Sequence, residues 1–94
     1  MAWTFDAELW RHESFPAWAF IALPEDVSDA VSVLGGPPRG FGAVKVEVGV
    51  GASTWQTSVF PDPARGYVMP VKAAVRRAER LTLGDTVEVR LRLV

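Results

Sequence analysis

The sequence contains no cysteine, which excludes a disulfide framework, a thiolate nucleophile and a sulfur-ligated metal. It has one histidine, His12, and no G-x-S-x-G elbow, so a Ser–His–Asp relay lacks its usual setting. A metal site would have to combine His12 with Glu8 and Glu13, and a surface loop histidine is the simpler reading. Long apolar runs are missing too. The longest uncharged one, residues 15–24, is too short to span a bilayer and carries two prolines. The opening residues MAWTFDAELWRH set acids among alternating apolar residues, unlike the basic end and continuous apolar stretch of a signal peptide. A soluble cytoplasmic protein is expected. There is no internal repeat, low-complexity tract or linker.

What is present suits one compact domain over residues 1–94. The hydrophobic content is 49%, with four Trp and five Phe, enough for a dry core at this length. Net charge is only −1 but uneven. Six acids face one base before Gly36, and nine bases face five acids from Gly36 onward. That asymmetry marks a candidate interaction face.

Hydrophobic periodicity predicts six strands and two short helices. Residues 3–9 alternate Trp3, Phe5, Ala7 and Leu9 against Thr4, Asp6 and Glu8, a half-buried strand. Residues 15–23, FPAWAFIAL, read as a central strand covered on both faces. Pro24, Glu25 and Asp26 start a helix whose buried stripe is Val27, Ala30, Val31 and Leu34, and Gly35-Gly36 with Pro37-Pro38 stop it. Residues 41–50 and 53–60 form a hairpin about the glycines of GVGA, and Pro61 is expected to end the second strand. Strands at 66–71 and 86–94 flank a helix at 72–81. The fold class is therefore mainly β with two short helices, a small six-stranded barrel.

On the second helix Val71, Ala74, Val75, Ala78 and Leu81 share one side, while Lys72, Arg76 and Arg80 stack four apart on the other. Glu79 is placed to pair with Arg76. These cations, with Arg39 from the GGPPRGFG loop, are the candidate anion-binding residues. Among the aromatics Trp10, Trp18, Trp55 and Tyr67, Trp18 and Trp55 are expected in strands, with most such rings filling the core. One or two of the four, Trp55 and Tyr67 first, are candidates for stacking a ligand at the mouth of a barrel. Neither glycine-rich stretch is a phosphate loop or a dinucleotide fingerprint, since GGPPRGFG lacks the Lys-Ser/Thr ending and both lead into strands. No cofactor and no metal are expected.

The segments WAFIALPEDV, STWQTSVFPDPARGYVMPVKAAVR and LGDTVEVRLRL, in that order, resemble a small bacterial family known as domain of unknown function 1905. The resemblance implies a small, mostly β barrel with a double-split arrangement like that of AbrB/MazE-type proteins. It implies no catalytic residues. Relatives often carry a basic C-terminal segment of the YdeI/OmpD-associated type. This sequence ends at Val94, so no role of that segment is carried over. Taken together, the expectation is a non-enzymatic module that binds a protein or small ligand, with a homodimer as one possible assembly. An AbrB-like DNA-binding regulator using the basic helix and a hydrolase-type enzyme are the alternatives.

Overall fold

A computed structural model of the protein describes residues 1–35 and 42–94. The helix stop expected at Gly36, Pro37 and Pro38, the cation Arg39 and the strand start expected at Phe41 lie outside them. The elements run β1 (Ala2–Glu8), β2 (Trp10–Arg11), β3 (Ala19–Ala22), α1 (Glu25–Leu34), β4 (Val44–Val50), β5 (Ser53–Asp62), β6 (Gly66–Val71), α2 (Ala73–Ala78) and β7 (Thr86–Leu93). Among the described residues the strands form one antiparallel sheet in the order β1-β7-β4-β5-β6-β3-β2. Seven strands replace the expected six, because the two-residue β2 pairs Trp10 with Phe20 and Arg11 with Ala19.

The order of the strands explains the shape. β1 and β2 stand at opposite ends of the sheet, yet only Leu9 separates them in sequence. The sheet must therefore curl until its two edges meet, giving a curled half-barrel. Leu9 at this corner is fully buried, its N–H donating to Asp85 O at 2.9 Å and its carbonyl accepting from Gly84 N at 2.7 Å. The outward residues Thr4, Asp6 and Glu8 leave charge along the β1 edge, which discourages pairing with another strand.

Strand β5 makes the bend. Residues 53–59 pair with β4, and residues 60–62 pair with β6. Pro61 does not end the strand as its missing donor suggests, for a reason visible in its partner. Tyr67 donates its N–H to Ser28 Oγ at 3.2 Å, and its carbonyl accepts from Leu23 N at 2.9 Å. Both groups point away from β5, so Pro61 opposite Tyr67 occupies a non-hydrogen-bonded pair and no ladder bond is lost.

The alternating pattern holds in the core. Val44, Val46, Val48 and Val50 of β4 and Val87, Val89 and Leu91 of β7 are buried with Leu9, Ile21, Met69 and Val59. The hairpin turns at Gly51, whose φ of 56° lies in the left-handed region and whose absent Cβ leaves room for Glu79 Oε1. In α1 the buried side is Val27, Ser28 and Val31, while Leu34 is 47% exposed. Ser28 is inside because its hydroxyl is satisfied twice, donating to Leu23 O and accepting from Tyr67 N.

Helix α2 is shorter than its apolar pattern predicts. It closes in a Schellman motif, with Leu81 N donating to Arg76 O at 2.8 Å and Arg80 N to Arg77 O at 3.3 Å. Arg80 takes the left-handed position, φ 55°, that glycine usually fills. Val75 alone of α2 is buried, and Ala74 and Ala78 face outward. The α2 side of the domain is thus held by Val71, Val75 and Leu81.

Two measurements check this account. Leu9→Ala should lower the unfolding free energy in urea by about 2–5 kcal/mol, whereas Leu34→Ala should stay within about 0.5 kcal/mol of wild type. Arg80→Gly should raise stability by roughly 0.5–1 kcal/mol, because glycine adopts positive φ without the Cβ clash.

Candidate functional site

The segment from His12 to Trp18 does not continue the strand, as the apolar run FPAWAFIAL leads one to expect. Phe15 N donates to His12 O at 3.0 Å and Trp18 N to Phe15 O at 3.0 Å, so two successive turns surround Pro16, which has no N–H to give a ladder. Strand β3 begins only at Ala19. The aromatic residues ahead of it consequently project from the barrel wall, and Phe15 and Trp18 are 53% and 55% exposed.

They are not loose. Phe20, buried, is the hub of a stacked group: Trp10 lies 5.5 Å away at 29° and Trp18 6.1 Å away at 29°. Phe15 sits 6.0 Å from Trp18 and 5.6 Å from His12, and His12 meets Phe20 edge-on at 5.9 Å. Arg65 places its guanidinium carbon 4.1 Å above the Trp10 ring, a cation–π contact at the rim.

The ridge is clamped to the barrel by Asp62 and His12. Asp62 Oδ1 accepts from Ala64 N at 2.9 Å and Arg65 N at 3.1 Å, closing the turn between β5 and β6. Its Oδ2 lies 3.4 Å from His12 Nε2, and Arg65 Nη1 lies 3.8 Å from Oδ1. The carboxylate side chain is 9% exposed. Burial works against its ionised form, yet the Ala64 N–H, the Arg65 charge, the Arg65 N–H and His12 outweigh it and hold the carboxyl below its ordinary range. His12 Nδ1 accepts from Ser14 N at 3.1 Å, which places the neutral ring's proton on Nε2, toward Asp62. His12 Nδ1 is thus taken up by Ser14, while Nε2 faces the Asp62 carboxylate at 3.4 Å.

Trp18 separates two clefts. One, of about 300 Å³, is walled by His12, Phe15, Phe20, Phe60, Pro61, Asp62 and Val68. The other, of about 340 Å³, is walled by Ala17, Ala19, Pro70, Val71 and Ala73, with Lys72 and Arg76 on its rim. Arg76 Nε donates to Val71 O at 3.0 Å, which holds the guanidinium against the cleft. A groove across β1, β7 and β4 contains charge as well; there Arg92 Nε meets Glu47 Oε1 at 2.7 Å, and Arg90 donates to Gly51 O at 2.9 Å.

Of the candidates read from sequence, the structure brings Lys72 and Arg76 together at one cleft. Arg80 lies past the end of α2 in the left-handed position, so the three cations do not run along one helical face. It shares a shallow surface with Arg76, Arg77, Leu81 and Thr82, however, and Arg76 borders both this surface and the cleft. Glu79 does not pair with Arg76; it accepts from Ser53 Oγ at 2.7 Å and fastens α2 to the β4–β5 hairpin. Trp55 is 9% exposed, packed into the core opposite Val48, and Tyr67 is half-buried beside that core. Arg39 is outside the described residues. Sequence reasoning missed Asp62, Phe15 and Phe60. Two signals pointed to them: proline inside an aromatic run, and the D-P-A-R turn with its Asp–Arg spacing of three. Among the described residues no group of three or more His, Asp or Glu gathers as a metal site, and no helix is long and apolar enough to cross a membrane.

A mainly β half-barrel bearing an ordered aromatic ridge is thus the class of molecule the fold and surface define. The family model described as "Domain of unknown function (DUF1905)" matches residues 5–91, and the chain belongs to that family. No curated protein matches the sequence.

The Asp62 clamp has a pH signature. A carboxyl that titrates below its ordinary value of 3.8 in the folded state contributes stability above that value and loses it as pH falls through the lower folded one. Urea midpoints measured from neutrality down to about pH 3 should therefore fall less for Asp62→Asn than for wild type, with the variant less stable at neutral pH.

Proposed function

We propose that this protein is a non-enzymatic cytoplasmic binding module whose ligand-facing surface is the Trp18 ridge and the clefts beside it. The observation that carries this reading is the combination of exposure and order. Trp18 and Phe15 present more than half their surface to water, yet hydrogen-bonded turns, ring stacking and the His12–Asp62 clamp hold them in place. A ligand that covers such a surface gains apolar burial of about 25 cal/mol per Å² and orders few side chains in doing so. Small domains of this kind seldom leave large apolar groups in a contiguous patch without a use.

In this reading His12, with Nδ1 accepting from Ser14 N and Nε2 facing Asp62, serves to fix the ridge. The alternative, a DNA-binding regulator using the basic helix, would draw on the shallow surface that Arg76, Arg77 and Arg80 share, although α2 ends before Arg80 and its cations do not run along one helical face.

The test uses a neutral aromatic probe, 4-phenylbutyramide, titrated against the labelled protein by amide and indole NMR shifts. Saturable shifts should concentrate at Trp18, Ala19, Phe60, Val68 and Val71, and Trp18→Ala should weaken binding about tenfold with the spectrum otherwise folded. Shifts scattered over the surface, or a Trp18→Ala variant that binds as well as wild type, would end the proposal.

A further inference from the structure

The two clefts share Trp18 but differ in charge. The His12 cleft contains the Asp62 carboxylate, whereas the α2 cleft is rimmed by Lys72 and Arg76 and lined by no acid. Glu79, the acid nearest in sequence, is turned away to Ser53. Within the α2 cleft the apolar wall of Trp18, Ala19, Pro70 and Val71 lies directly against the cationic rim.

Arg76 is the informative residue. Its Nε is committed to Val71 O at 3.0 Å, which orients the guanidinium plane and leaves the two terminal nitrogens as the remaining donors. Among the described residues neither of them meets an acid or a backbone carbonyl within hydrogen-bond range. Two parallel N–H donors match the two oxygens of one carboxylate, the bidentate arrangement that arginine favours. Lys72, four residues earlier and exposed, adds a mobile charge without fixed direction.

We infer that the α2 cleft takes a small apolar carboxylate, its flat body against Trp18 and its carboxylate on the fork of Arg76 beside Lys72. This rests on the Trp18 surface as the binding site and adds the chemical class of the ligand.

The experiment compares three probes of similar body on the same full chain at low salt and neutral pH: 4-phenylbutyrate, 4-phenylbutyramide and 3-phenylpropyl phosphate. The carboxylate should bind about tenfold tighter than the amide, the size expected of one charge-assisted, partly solvated pair. Arg76→Gln should abolish that preference while amide binding is retained, and Arg76→Lys should keep less than half of it, since a point charge replaces the fork. Lys72→Gln should lower it by a smaller factor and flatten its salt dependence. An amide that binds as tightly as the carboxylate sinks the ligand class and leaves the Trp18 surface standing. The phosphate binding tighter than the carboxylate overturns the assignment to carboxylates, as does an Arg76→Lys variant with the full preference. Failure of the amide to bind at all removes the surface itself.

Discussion

Between Val59 and Phe60 the longest strand of the protein exchanges one neighbour for another, and the rest of the architecture depends on that exchange. Before it, β5 completes a hairpin with β4; after it, β5 pairs with β6, which leads to β3 and β2. A flat sheet would leave the β1 and β2 edges far apart. With the bend, the edges converge on Leu9, and the valines of β4 and β7 close over Ile21, Met69 and Val59. The proline in this strand costs nothing, because it falls in a pair that makes no ladder bonds.

The same bend positions the surface that we assign to binding. Asp62 is the last residue of β5, and it closes the turn into β6 while facing His12 across the sheet. Because β3 pairs with β6, the turns that precede β3 are brought over the end of β5. Trp18 and Phe15 are thus carried by a loop whose two ends are anchored, one through β2 and one through β3. Preorganisation of this kind keeps the entropic cost of ligand capture low, and it distinguishes an ordered aromatic ridge from a merely sticky one.

Much of the fold was legible in the residues themselves. The period-two patterns of β1, β4 and β7, the glycine turn at Gly51 and the 66–71 strand appear where the pattern places them. The site was less legible. FPAWAFIAL looks like one buried strand, since aromatic and apolar residues fill both faces, and nothing local says that Pro16 divides it. Lys72, Arg76 and Arg80 look like one stripe, since spacing by four ignores where a helix stops. The Schellman closure at Arg80 depends on Leu81 returning to the core, a contact with no marker in the helix.

By itself, then, the order of residues determined the class: alternation of apolar and polar side chains commits those segments to half-buried strands, because only period two keeps one face dry. Membership of its family follows from that order too. What only the folded chain decided is which aromatics face water and which charges remain unmatched. Those outcomes turn on partners remote in sequence, Asp62 for His12, Ser53 for Glu79 and Tyr67 for Ser28. No local propensity encodes a hydrogen bond between residues brought together only when the sheet curls.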